Sequence, residues 1–326
     1  MADVAPDAGE AAFSHESAYG LRFKAPPGVN VGWPSMLNRK LLMVRHFYDR
    51  FIREHAWCVL PKAKRGAAPP ENLRVITGTP GIGKSAFGMY LLHHALKANK
   101  TVVFIHNVQS RAVPRVTVFH DGTVWKASSI DDLDALVLDT NVVFLYDGVE
   151  PLTLGYNTIL ITSPDEPLWS KFMKVDGTKL LQFPVFSLHE LLQLQQLEQV
   201  KPVISPEEVC ERYDLVGGSA RLIMNGASQE ENMVLLEAKA RKLTAAAMQR
   251  LHDIPLDLPK DQMAHHLVHY VVDRAKFAIT GLTFASEQVK RICEEQAKKR
   301  GGAELAAFMT AAEKFTVFAV GALPKV

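Results

Sequence analysis

Eight consecutive residues, Gly78-Thr79-Pro80-Gly81-Ile82-Gly83-Lys84-Ser85, have the types and spacing of a phosphate-binding loop, G-x-x-x-x-G-K-[ST]. Glycines at the fixed places let backbone N–H groups converge on phosphate oxygens with no Cβ in the way. The lysine is a point charge for the β- and γ-phosphates, and the serine hydroxyl suits Mg2+. The loop follows an apolar run containing Leu73, Val75 and Ile76 and leads into Ala86–Leu92, which reads as a helix. Strand before and helix after is the context the motif needs, because the helix N-terminus adds its positive dipole. The chemistry this predicts is binding of a nucleoside triphosphate, ATP foremost, with Mg2+.

A carboxylate for the metal comes next. Asp147 ends the apolar run Val142-Val143-Phe144-Leu145-Tyr146, the pattern of a Walker B strand, and would hold Mg2+ opposite Ser85. Many ATPases of this kind place Glu directly after that Asp to polarise the attacking water. Here the position is Gly148, so Glu150 is the nearest substitute base, with Asp165 or Glu166 further on. Thr162 and Ser163 end a third apolar strand, expected between the loop strand and the Asp147 strand, where a hydroxyl can sense the γ-phosphate. Arg221 follows Gly217-Gly218-Ser219-Ala220 at the start of a helical region, and its guanidinium fork suits the γ-phosphate.

These residues need a scaffold, and the pattern of apolar runs provides one. Residues 1–70 read as an irregular arm and a basic helix over 36–56. Residues 71–186 alternate strand and helix as an α/β nucleotide-binding domain with a parallel sheet. Within it, Asp121-Gly122 marks a hairpin turn between two β-rich runs, and Lys179–Phe183 reads as a further strand. Residues 187–326 read as helical: a capping box at Ser187 and Glu190 opens one helix, Pro206 opens the next, and Gly217-Gly218 breaks it. Long helices are expected over 219–250, 261–279 and 285–315.

Composition narrows the function classes. The 326 residues are 48% hydrophobic and 22% charged, with a net charge of +2, too small to argue for nucleic acid or membrane. Cys58, Cys210 and Cys293 form no C-x-x-C pair, so neither a zinc site nor a disulfide framework follows. No apolar leader opens the sequence and no run is long enough to span a bilayer; an intracellular, nuclear or cytoplasmic place is expected. Between Asn38 and Arg65, eight basic residues (Arg39, Lys40, Arg45, Arg50, Arg53, Lys62, Lys64, Arg65) outnumber Asp49 and Glu54, which allows weak contact with a DNA backbone beside the reading of a solvated helix face. His265 and His269 stand i, i+4 and could share a metal, but no acidic partner completes that site, and a half-buried helix accounts for them better. The residues leave self-association into a homo-oligomer open.

Several segments in order carry a family resemblance. They are Phe47–Glu54, the loop Gly78–Ser85, Phe144–Gly148, Thr162-Ser163-Pro164, Phe183–Leu191, Glu211-Arg212-Tyr213 and Gly217–Arg221. Together, over roughly residues 45–320, they resemble the ATPase module of the crinkler effectors of oomycetes and fungi and of the retrotransposon hot spot proteins of trypanosomes. The resemblance implies an AAA+/ASCE-like P-loop NTPase, a three-layer parallel sheet followed by a helical lid, acting in an effector or nucleic-acid-directed role. In that family a PD-(D/E)xK-type nuclease usually follows. No spaced Asp…Glu-x-Lys set follows residue 280, so the nuclease half is expected to be missing here.

Overall fold

The computed structural model describes residues 19–22, 41–60, 72–107, 114–127, 133–151, 153–164, 169–197, 204–225, 227–253 and 266–319. The chain divides into two compact units: Met1–Ile76, Gly83–Thr162 and Pro167–Leu181 form the first, and Thr77–Ile82, Ser163–Glu166 and Gln182–Val326 the second.

In the first unit, β1 (Tyr19–Arg22) pairs antiparallel with β2 (Leu41–Val44). Helix α1 (Tyr48–His55) follows. The single helix expected over 36–56 is therefore corrected, its first residues lying outside the described ones. The four-residue run Leu41-Leu42-Met43-Val44 fits strand or helix by pattern alone, and pairing with β1 decides it. The carbonyl of His55 at the end of α1 accepts from Asn72 Nδ2 at 3.2 Å and Arg74 Nε at 2.9 Å, which ties the helix to the strand carrying both donors. Arg45 is also not a solvated cation: it is buried, with its guanidinium 4.8 Å over the Phe47 ring.

A seven-stranded sheet forms the body of this unit. Its strands are β3 (Asn72–Thr77), β4 (Thr101–His106), β5 (Arg115–His120), β6 (Thr123–Lys126), β7 (Val142–Asp147), β8 (Asn157–Ile161) and β9 (Lys179–Gln182). Their order is β6-β5-β4-β7-β8-β3-β9. The pairs β4–β7, β7–β8 and β8–β3 are parallel, and the hairpin β5–β6 extends the β4 edge antiparallel. Strands β3, β4 and β8 are buried along their whole length and β7 up to its last residue, which is why β4 and β7 read as nearly continuous apolar runs. The strand expected between the loop strand and the Asp147 strand is there, as β8. The hairpin turn falls at Asp121 and Gly122, both with positive φ (45° and 72°). Helix α2 (Lys84–Lys97) lies so close to β8 that a Cβ on Gly88 would come within 2.8 Å of Ile161 Cδ1. The short helix α3 (Asp134–Val137) precedes β7. The fold is α/β, of the P-loop NTPase class.

The second unit is mainly helical. Capping boxes open α4 (Leu188–Gln196) at Ser187/Glu190, α5 (Pro206–Val216) at Ser205/Glu208, and α7 (Gln229–Ala240) at Ser228/Glu231. Between the last two lies the short α6 (Ala220–Met224). Helices α8 (Ala245–Asp253), α9 (Glu287–Arg300) and α10 (Gly302–Ala319) complete the set. The helix expected over 261–279 is corrected: β10 (Val268–Asp273) and β11 (Ala278–Phe284) form an antiparallel hairpin. Val268, Val271 and Val272 beside Tyr270 favour a pleated surface, and that preference overrides the helical spacing. His269 thus lies on a strand, and His265 is outside the described residues. Among the described residues no three His, Cys, Asp or Glu side chains are grouped to hold a metal ion, and no helix is long and apolar enough to cross a membrane.

Candidate functional site

The loop between β3 and α2 has the backbone its sequence calls for. Gly78, Gly81 and Gly83 have φ of 140°, 82° and 84°, a region costly for any residue with a Cβ. Gly81 is also a close approach: a Cβ there would come within 2.7 Å of Ser219 Oγ and 2.8 Å of Arg221 Cβ. Two hydrogen bonds fasten the same spot, from the Arg221 amide to the Gly81 carbonyl (3.1 Å) and from Ser219 Oγ to the Pro80 carbonyl (3.3 Å). At the other side of the loop, the Phe183 amide donates to the Thr77 carbonyl at 2.8 Å. Thr79 and Ile82 are buried and Pro80 is half-buried. The carbonyls of Thr77, Pro80 and Gly81 are engaged in these hydrogen bonds.

Helix α2 starts at Lys84, whose side chain is largely buried, with Gly83 as its left-handed N-cap. One residue on, Ser85 Oγ donates to Asp147 Oδ1 at 2.9 Å. A hydroxyl and a carboxylate in contact at a helix N-terminus are hard oxygen donors, and they fit Mg2+. Removal from water pushes the Asp147 carboxyl up to about 6, against the opposing pull of the Ser85 hydrogen bond and the Lys84 charge. A carboxylate raised by burial gains when a cation joins it.

The remaining predicted residues are placed as follows. Gly148 has φ of 67° and offers no side chain for a base. Glu150 is engaged elsewhere, with Oε1 held by Lys171 Nζ at 2.7 Å. Asp165 and Glu166 lie outside the described residues. Thr162, at the end of β8, is buried and its Oγ1 has no hydrogen-bond partner among the described residues; Ser163 beside it is exposed. Arg221 is exposed near the start of α6. Nearby, burial, with Lys239 and Arg221 adding to it, lowers the pKa of His266.

Sequence reasoning passed over the neighbours of Asp147. In register, His106 at the end of β4 pairs with Asp147 on one side and with Arg115 on the other. His106 is 1% exposed, and burial, helped by Arg115, holds its imidazole down to about 4. The signal that could have found it is its position as the last residue of a buried strand next to the strand that ends in Asp147.

No protein-family model matches the chain, and no curated protein is similar to it in sequence. Among solved structures it is similar to RuvB from Thermotoga maritima, described as a Holliday junction branch migration motor, at 14% identity over 84% of this chain and 86% of that one, with a TM-score of 0.36. A variant of the same RuvB gives 14% identity over 84% of this chain and 87% of that one, with the same TM-score. A second variant gives 13% over 85% and 86%.

Proposed function

We propose that the chain is a Mg2+-dependent nucleoside triphosphatase that takes ATP. The observation that carries this is the 2.9 Å contact of Ser85 and Asp147 beside a loop built on three positive-φ glycines. In this reading the amides of Gly81–Ser85 and the Lys84 ammonium bind the phosphates. Ser85 and Asp147 hold Mg2+, which neutralises charge on the β- and γ-phosphates when bound. Thr162 presents its buried hydroxyl to orient water or the terminal phosphate.

A second reading is a nucleotide-gated switch without useful turnover. It is favoured by Gly148 in the place of a base and by the commitment of Glu150 to Lys171. Steady-state phosphate release with Mg2+ and with EDTA separates the two. Mg2+-dependent release supports the hydrolase, and ATP binding without release supports the switch.

Arg221 belongs to the hydrolase reading as a sensor of the γ-phosphate, since the amide at its own position is bonded to the phosphate loop. Arg221→Ala is expected to leave ADP affinity nearly unchanged and to lower turnover by about tenfold or more, as losses of such arginines do. Parallel loss of ADP and ATP binding would show that it only anchors the helix.

The motif order supports membership of the crinkler and retrotransposon hot spot ATPase modules, and with it a nucleic-acid-directed role. Duplex DNA binding, weak and steeply salt-dependent, is expected from that role. Arg45 is excluded as a contact because it is buried, leaving Arg50 and Arg53 on α1 among the described cations of the basic stretch. Charge reversal at those two should remove binding measured at about 50 mM salt, a range where backbone contacts are strong. If wild-type protein does not bind there, the basic stretch is a solvated face.

A further inference from the structure

The β10–β11 hairpin contributes no residue to the proposed site, yet both fastenings of the phosphate loop lead to it. At the start of the loop, the Thr77 carbonyl accepts from the Phe183 amide at 2.8 Å, and a Cβ on Gly78 would come within 2.8 Å of the Phe183 carbonyl oxygen. The preceding residue, Gln182, donates its own amide to the Phe277 carbonyl at 2.7 Å. Phe277 is the last residue of the hairpin turn, immediately before β11. Further along the loop, Pro80 and Gly81 are bonded to Ser219 and Arg221. The turn carrying that pair begins at Gly217, where a Cβ would run into the Ala285 carbonyl oxygen and come within 2.8 Å of His269 Cε1. His269 is on β10 and Ala285 directly follows β11, so one hairpin abuts both fastenings. All of these residues belong to the second compact unit.

Phe277 is held in a conformation that its side chain disfavours. Its φ is 51°, a costly region for a bulky residue, and it is 0% exposed. Such a backbone persists only where its surroundings fix it. Here its own amide donates to the Asp273 carbonyl at 2.7 Å, and its carbonyl holds Gln182. The Asp273 carboxylate gathers the rest of the turn, Oδ1 accepting from the Ala275 and Lys276 amides at 2.7 and 3.2 Å.

We infer that Phe277 is a positioning residue for the phosphate loop, acting through Gln182 and Phe183 to hold the Thr77–Gly78 backbone in its binding form. This rests on the reading of Gly78–Ser85 as the triphosphate site. A loop that must be formed before it binds has its affinity reduced by the fraction of molecules in which it is formed. With the turn undocked, Gln182 loses its acceptor and Phe183 is no longer held against Thr77 and Gly78. The coupling is reciprocal: what the docked turn does for the nucleotide, the nucleotide does for the turn. ATP in the loop therefore tightens the Gln182–Phe277 bond, outside the loop itself.

The test uses the full chain and two readouts, ATP affinity by titration and amide hydrogen exchange. Phe277→Ala is expected to weaken ATP binding by about tenfold, measured well below the variant's own thermal midpoint. Phe277→Leu keeps an apolar anchor and should retain most of the affinity. Asp273→Ala loosens the turn without emptying the core and should weaken binding in the same direction, so it decides the matter if Phe277→Ala does not fold. In the wild type, saturating ATP should slow exchange at the Gln182 and Phe277 amides by about fivefold or more beyond any change in the β5–β6 hairpin. A residue that only packs would lower the thermal midpoint and move neither readout. Unchanged ATP affinity in a folded Phe277→Ala, or in Asp273→Ala where that variant does not fold, would overturn the proposal. Exchange at Gln182 and Phe277 that ignores bound ATP would overturn it too. Wild-type protein that binds no ATP would instead overturn the nucleotide reading itself.

Discussion

Replacing Lys84 by Ala is expected to abolish turnover and to weaken ATP binding by about 10- to 100-fold, while leaving the thermal midpoint nearly unchanged. The ammonium belongs to the first residue of α2, directly after the left-handed Gly83 of the loop. A charge-assisted hydrogen bond to phosphate contributes about 1.5–3 kcal/mol, which sets the size of the binding loss. Turnover falls further because the same charge meets the γ-phosphate as it leaves. Lys84 is not part of the apolar core of α2, which consists of Phe87, Met89, Tyr90, Leu91, Leu92 and Ala95. Calorimetric unfolding beside ATP titration checks both halves. Unchanged ATP affinity would remove Lys84 from the site.

The second large effect is at Asp147, and it has two signs. Asp147→Asn should reduce Mg2+-dependent turnover by about 100-fold or more, because a neutral amide is a poor ligand for a hard cation. The same change should stabilise the nucleotide-free protein at neutral pH. The folded-state carboxyl titrates near 6 against an ordinary 3.8, so it is raised by folding. Its contribution to stability is full below the unfolded value and is lost as pH rises through about 6. Above that, the wild type carries a penalty of up to about 3 kcal/mol that Asn does not. The difference in unfolding midpoint between Asp147→Asn and wild type should therefore grow from pH 4 to pH 7 and then level. A constant difference across that range would mean the carboxylate is not enclosed as described.

Much of the site was legible because it is local. The loop, its helix and the apolar strand ending in Asp147 are each contiguous, and period and turn chemistry identify them without tertiary knowledge. The strand ending before Thr162 and Ser163 also lies between β3 and β7, as expected. Three kinds of information were not legible. Leu41–Val44 and Val268–Asp273 took strand form because a partner strand was available, and spacing within one segment does not record partners. The burial of Arg45 against Phe47 removed a cation from a stretch that looked solvated. His106 pairs with Asp147, and Arg115 with His106, only through sheet register, which joins residues far apart in the chain.

The central claim is that the loop Gly78–Ser85 binds a nucleoside triphosphate and that Ser85 and Asp147 bring Mg2+ to it. Calorimetric titration of ATP into the wild-type chain, with Mg2+ and again with EDTA, tests it most directly. The account predicts binding in both conditions, tighter with Mg2+, with the Mg2+ gain lost in Asp147→Asn and binding itself weakened in Lys84→Ala. No measurable binding of ATP, or binding equally strong in EDTA and indifferent to Lys84, would contradict it.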